Sequence, residues 1–267
     1  MKQTTKVKNH FAHYLKRKVK MRFSKREIEL FYKQNQNLED GFDKPKYHIT
    51  RRKSGPVTRI KTGDIIWLFS ILESPWGEMP PSLDAKIIVE EVRRTKEGYY
   101  KFIAGPDSVW FNLNDATKCI AQIKTIDSKG NIKNLITKEK NILGKQLQSI
   151  RQIKNEKSLL DYLDVIENKG FDFVSYRIKD GTKLAFLKVI RLLEQGKIVF
   201  WDRYCLPRRL AERREYVSDC KLDDHLIGIL KKSETVWGIE TKCYAVKNSY
   251  SIKEKETAIE LKKYKPG

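Results

Sequence analysis

A chain of 267 residues has room for two domains of ordinary size, and 40% hydrophobic content with 10% aromatic residues excludes wholesale disorder. The formal net charge of +21, from 55 Lys and Arg against 34 Asp and Glu, points to a polyanionic partner, nucleic acid first and an anionic membrane surface second. Cys119, Cys205, Cys220 and Cys243 form no CxxC pair and stand in no ligand spacing with the four histidines, so no metal is expected and reduced thiols in a cytoplasm are. No apolar run approaches the ~18–20 residues of a membrane span, and no apolar core follows the basic amino terminus as in a secretory signal, so a soluble, intracellular chain not inserted in a membrane is expected.

The positive charge is densest at the start. Residues 1–61 hold 18 Lys and Arg against 5 Asp and Glu. Lys16, Arg17, Lys18 and Lys20 form one run and Arg51, Arg52 and Lys53 another, with Phe11, Tyr14 and Phe23 interleaved around the first. Cations with aromatic neighbours suit phosphate contacts plus base stacking, and these seven residues are the nucleic-acid candidates; a solvated arm is the alternative. Ser24-Lys-Arg-Glu27 before Ile28 and Leu30 has the spacing of a capping box and predicts a helix. Residues 1–59 therefore read as a basic arm with short helices. His10, His13 and His48 are scattered and read as surface residues.

From residue 60 the pattern changes to short strands. Gly63–Phe69, Ala85–Val92, Tyr99–Ile103 and Val109–Phe111 are separated by turn-forming Gly, Pro, Ser and Asp, which suggests a small barrel or curled sheet. Trp67 and Trp110 lie inside apolar strand patterns and read as core. Trp76, in the loop Glu73-Ser-Pro-Trp-Gly, is the binding candidate, with plugging of a barrel end as the alternative. Gly63-Asp-Ile-Ile-Trp-Leu68 at the head of such a module resembles the PUA-like barrels, including their EVE and ASCH branches. That resemblance implies RNA or modified-base binding between strands. Two helices, Gln146–Arg151 and Leu159–Ile166, carry the chain to a boundary near Asn168-Lys-Gly170, so this module spans 60–168.

Residues 169–267 alternate strands with helices. Phe171–Arg177 reads as a buried strand ending in small and polar groups, the helix after Gly181 places Phe186, Val189, Ile190 and Leu193 on one face, and Lys197–Trp201 is the next strand. A helix with Leu222, Leu226, Ile229 and Leu230 on one side then leads to a third strand, Thr235–Glu240. This alternation predicts a parallel sheet with right-handed crossovers, with ligands bound beyond the carboxyl ends of the strands.

Three stretches of this region, in order, resemble the Toll/interleukin-1 receptor (TIR) domains, especially bacterial and plant members that cleave NAD. Phe171-Asp-Phe-Val-Ser175-Tyr176 is similar to the family's first box, and Trp201-Asp202-Arg203 to Pro207 to its second, the loop that closes over the site. Ser249-Tyr250-Ser-Ile-Lys-Glu254 is similar to its Ser-Trp-x-x-x-Glu motif. Arg208 stands where the family has glycine, Tyr250 where it has tryptophan, and no final strand and helix are evident before Gly267. The resemblance implies a flavodoxin-like parallel α/β fold that self-associates. It also implies NAD as substrate, Glu254 as the catalytic carboxylate, and Ser175, Tyr176, Arg177, Trp201, Asp202, Arg203 and Tyr250 as dinucleotide-binding residues. A carboxylate that holds the ribose hydroxyls stabilises the oxocarbenium-like state formed as nicotinamide leaves. Ser251-x-x-Glu254 is also a capping box, which is the alternative for that glutamate. Two functions stay open. One is a defence-type effector that cleaves NAD when the β module senses a ligand or nucleic acid; the other is a non-catalytic nucleic-acid-binding protein whose TIR-like part is an oligomerisation or nucleotide-sensing surface.

Overall fold

The structure is a computed structural model and describes residues 8–22, 27–32, 44–126, 130–135, 143–205, 219–244 and 250–267. The first part of the chain contributes β1 (His10–Arg22), β2 (Glu27–Tyr32), β3 (Tyr47–Thr50), β4 (Ile65–Ser74), β5 (Gly77–Glu78), β6 (Ser82–Arg94), β7 (Tyr100–Ala104) and β8 (Val109–Trp110). It continues through α1 (Thr117–Gln122), β9 (Lys124–Ile126), β10 (Ile132–Asn134), α2 (Leu143–Gln146), β11 (Arg151–Ile153) and α3 (Lys157–Asn168). Its strands form one mixed sheet in the order β10-β9-β11-β1-β4-β6-β7-β3, with β2, β5 and β8 paired to β1, β4 and β6. Among the described residues, only the β1–β4 pairing of this sheet is parallel.

Strand β4 is apolar on both faces because both are covered. Ile65, Trp67 and Phe69 pack with Cys119 and Ile120 of α1 and Leu159 and Leu163 of α3. On the opposite face Ile66 and Leu68 meet Phe11, Leu15, Val57, Tyr100 and Phe102. This second core closes because the sheet curls. Strand β6 pairs with β4 through its first half and β7 through its second, with a register irregularity between Val89 and Glu91 where it bends. His13 on β1 and His48 on β3 therefore meet at 2.7 Å, although three strands separate β1 from β3 in the sheet order.

Three expectations are corrected here. The basic start of the chain is not an arm with short helices: His10–Arg22 is a sheet-interior strand, and His10 to Lys18 run alongside Ile65 to Glu73. The helix expected from the capping box at Ser24 does not form over Glu27–Tyr32, which pairs with Arg17 to Arg22 as a hairpin strand; a long partner strand overrides the local capping signal. Ser24 and Phe23 lie outside the described residues. His10, His13 and His48 are buried rather than surface residues, because the two-residue period of β1 and β3 turns His13 and His48 into the curled core.

The last part of the chain contains β12 (Phe171–Tyr176), α4 (Ile178–Glu194), β13 (Ile198–Phe200), α5 (Asp202–Cys205), α6 (Asp219–Lys232), β14 (Thr235–Ile239), α7 (Tyr250–Glu260) and β15 (Tyr264–Pro266). Its four strands are all parallel, in the order β13-β12-β14-β15. The chain passes from β12 to one neighbour and then crosses to the other, so the winding reverses beside the carboxyl end of β12. Helix α4 presses Ala185, Phe186, Val189 and Leu193 onto one face and ends at Gly196, whose φ of +70° favours glycine. Leu226 and Leu230 of α6 and Ala258 of α7 cover the other face over Phe173, Phe200 and Val236. Strand β15 corrects the expectation that no strand follows α7.

The two sheets share a core. Leu72, Met79 and Leu113 pack with Val174, Phe186, Val199 and Trp201, and Leu113 and Val199 exchange backbone hydrogen bonds of 3.0 and 2.8 Å. Beside this seam Arg17 of β1 is 4% exposed and Asp84 of β6 has no exposure. Arg17 Nε lies 2.9 Å from Asp84 Oδ2, and its Nη1 donates to the Tyr204 carbonyl at 2.6 Å. The guanidinium stacks 3.7 Å from the centre of the Tyr204 ring. Tyr204 and Ser70 both donate to Asp84 Oδ1. Burial pushes the Asp84 carboxyl up, while Arg17 and the two hydroxyls pull it back.

Two measurements follow from this packing. Asp84→Ala leaves a buried guanidinium uncompensated and is expected to lower unfolding stability by about 3–5 kcal/mol in urea titration, whereas Arg17→Met combined with Asp84→Leu costs less. Burial holds His13 down at about 4 and His48 well below the usual imidazole value. A lowered histidine takes up its proton in the unfolded chain first, so the stability contributed is fully present above the unfolded value of about 6.5 and is lost as pH falls towards 4. Unfolding stability from urea titration is expected to fall between pH 7 and pH 5, with a slope of at most about 1.4 kcal/mol per pH unit for each histidine, and to fall less steeply in His48→Leu.

Candidate active site

Ser175 and Glu254 come together at the carboxyl end of β12, where the winding of the parallel sheet reverses. Strand alternation turns Phe173 and Ser175 to the face covered by α7, and Glu254 reaches that face from the second turn of α7. Ser175 Oγ donates to Glu254 Oε2. Ser175 has one hydroxyl proton, so the 3.0 Å contact between its Oγ and the Tyr244 hydroxyl is a bond donated by Tyr244. The result is a relay from Tyr244 through Ser175 to Glu254. Ser251 Oγ donates to the Tyr244 carbonyl at 2.9 Å, tying Tyr244 to the start of α7. Glu254 is 5% exposed, and Ser175, Tyr244 and Ser251 are equally enclosed. Burial pushes the Tyr244 hydroxyl up to about 12, and the Glu254 charge adds to it. Ser251 stands inside α7, so the geometry described for Glu254 runs across to β12; Ser249 lies outside the described residues.

The ends of β12 and β13 also meet. Tyr176 hydroxyl donates to Asp202 Oδ1 at 2.6 Å, joining the last residue of β12 to the first of α5. Arg177, half-buried, is the cap residue of α4. In the first turn of that helix Asp180 accepts from Thr241 Oγ1 at 2.7 Å and from the Cys243 backbone N–H at 2.9 Å, which pins the segment after β14 that carries Tyr244. These hydrogen bonds outweigh desolvation and hold the Asp180 carboxyl below its ordinary value.

Other expected residues are placed elsewhere. Trp201 is fully buried between Tyr176 and Phe186, because the chain turns into α5 directly after β13 and drives the indole into the shared core; it is not on a binding surface. Tyr250 is half-buried against the apolar cluster of Phe173 and Ala258. The Arg203 side chain, Pro207 and Arg208 lie outside the described residues. Among the nucleic-acid candidates, Arg17 is committed to Asp84 and is not available to phosphate. Trp76 packs its ring 5.6 Å from that of Phe186 and plugs the seam between the sheets. Arg51, Arg52 and Lys53 are exposed, and the side chains of Lys16, Lys18 and Lys20 lie outside the described residues. Trp67 is buried and donates to His10 Nδ1 at 3.2 Å; Trp110 packs against the curled core. Burial pushes the Cys205 thiol up to about 11, which makes it an inert thiol despite its basic sequence neighbours.

Tyr244, Asp180 and Thr241 were not visible as site residues in the sequence, since each gains its role only from contacts across the sheet. Among the described residues no group of three or more His, Cys, Asp or Glu is placed to hold a metal ion, and no helix is long and apolar enough to cross a membrane. No protein family model matches the chain, and neither a curated protein nor a solved structure matches it.

Ser175→Ala removes the donor to an enclosed carboxyl and is expected to lower stability by about 1–3 kcal/mol, read from urea denaturation; Tyr244→Phe, which removes the more distant donor, is expected to cost less.

Proposed function

We propose that the carboxy-terminal sheet is a flavodoxin-like, TIR-like nucleotide site that binds NAD and cleaves its nicotinamide–ribose bond. The observation that carries this reading is the hydrogen bond from Ser175 to Glu254 at the point where the winding of the sheet reverses. Sheets wound in this order hold nucleotides at that point, beyond the carboxyl ends of the strands. Glu254 already accepts a bond from an alcohol, and a ribose hydroxyl is the same kind of donor. In the proposed reaction the bond between the ribose anomeric carbon and the nicotinamide nitrogen breaks, and its electron pair leaves with the ring, which becomes neutral. The positive charge passes to the sugar, where Glu254 stabilises it. Water then adds to the anomeric carbon and releases a proton to solvent, giving ADP-ribose.

The roles of the neighbours follow from their places. Arg177, at the amino-terminal cap of α4, is proposed to meet the diphosphate together with that helix end. The Tyr176–Asp202 bond fixes the end of β12, and Asp180 fixes the segment that holds Tyr244. Glu254 is 5% exposed, so the proposed cycle includes an opening step, driven by self-association or by a ligand on the first sheet.

Incubation with NAD, with and without nucleic acid, is expected to release free nicotinamide. Glu254→Gln is expected to reduce the rate by on the order of 10²-fold or more, by analogy with the loss of a charge-stabilising group elsewhere. Equal release by the variant, or no release from the intact protein under either condition, contradicts the proposal.

A further inference from the structure

Among the described residues, a concentration of exposed positive charge lies at the opposite end of β6 from Asp84. Residues 44–53 and 91–101 contain nine Lys and Arg and two Glu. The fold brings these stretches side by side, with Thr50 on β3 opposite Tyr100 on β7, and Tyr100 opposite Arg94 at the end of β6. Strand alternation sorts the residues. Tyr100, Phe102 and His48 turn inward and are buried, while Tyr47, Ile49 and Lys101 form the outer face. Arg51, Arg52 and Lys53 continue from the end of β3 and are exposed, and none of the three forms an ion pair among the described residues. Of the two glutamates, Glu91 is held by Arg93 in a two-pronged pair.

Tyrosines are interleaved with these cations. Lys101 Nζ lies 3.9 Å from the centre of the Tyr47 ring, and Lys53 Nζ lies 5.4 Å from that of Tyr99. The Arg94 guanidinium stacks 3.6 Å from the Tyr100 ring and donates to the Gly98 carbonyl at 2.9 Å, which stiffens the β6–β7 turn. Rings half-exposed among cations at strand spacing offer stacking surfaces beside phosphate contacts. A duplex hides its base faces and makes no use of the rings. A membrane surface is disfavoured, since the exposed large apolar residues of the described chain all lie outside these two stretches.

We propose that this ledge, the outer face of β3 and β7 with the exposed segment 51–53, binds single-stranded nucleic acid. Tyr47 and Tyr99 supply the stacking platforms, and Arg51, Arg52, Lys53 and Lys101 contact phosphates. The proposal stands independently of the chemistry assigned to Glu254.

The test is fluorescence anisotropy of the full chain with a labelled oligothymidylate over a salt series, with thermal melts confirming that each variant is folded. Joint replacement Arg51→Glu, Arg52→Glu, Lys53→Glu is expected to weaken binding by on the order of tenfold or more and to reduce the slope of log affinity against log salt by about two. Tyr47→Leu with Tyr99→Leu is expected to weaken binding by about 5–100-fold with the slope unchanged. Photocrosslinking of a thiothymidine oligonucleotide to the unaltered protein is expected to label Tyr47 or Tyr99. An unchanged affinity and slope in the charge variant overturns the proposal, as does crosslinking confined to other segments. Three further results also overturn it: no effect of the tyrosine variant, which reduces the ledge to general polyanion attraction; equal affinity for duplex; or binding to phosphatidylserine vesicles that the oligonucleotide does not displace.

Discussion

A guanidinium enclosed between two sheets fixes the arrangement of everything else. Arg17 reaches from β1 to Asp84 on β6 and to both the carbonyl and the ring of Tyr204, so that one cation is satisfied by residues far apart in the chain. A charge with 4% exposure is tolerated only with such partners. The cluster holds α5 against the first sheet, and Asp202 at the start of α5 holds Tyr176 at the end of β12. The next residue inward, Ser175, bonds to Glu254. A continuous line of contacts therefore runs from the core of the first sheet to the candidate site on the second.

That line gives physical content to the proposed coupling between sensing and chemistry. The proposed nucleic-acid ledge lies at the far end of β6, and the same strand carries Asp84 near its start. Strand β6 thus touches both regions, and the proposed coupling would run along it. A two-state element that both sites bias is what such coupling requires.

The parallel sheet was legible because its strands are continuous apolar runs and its helices carry a clear 3.6-residue stripe. Both signals are local and survive without knowledge of partners. Strand β15 was not, since Tyr264–Pro266 is three residues long, ends in proline and takes its strand form from pairing with β14. The first residues were misread for a related reason. Charge density suggested a solvated arm, yet Phe11, His13, Leu15 and Arg17 alternate with the period of a strand and all face one core. Read as a strand, that alternation places Arg17 inside and demands an acid opposite, and Asp84 within the apolar run Leu83–Ala85 is a carboxylate in such a place. Trp201 was misassigned because a box motif says which residue is present and not which way the chain turns after it. Glu254 was singled out only through the resemblance of three stretches, in order, to the TIR boxes, and Tyr244 and Ser175 join it only in the folded sheet.

Binding of ADP-ribose, which cannot release nicotinamide, isolates the central claim from turnover and is measured directly by calorimetric titration. If Glu254 holds the ribose hydroxyls, the intact protein binds ADP-ribose saturably and Glu254→Gln weakens that binding by about tenfold or more, as loss of a hydrogen bond to a charged group implies. Equal affinities in the two proteins, or no binding by either, place the nucleotide somewhere other than the end of β12.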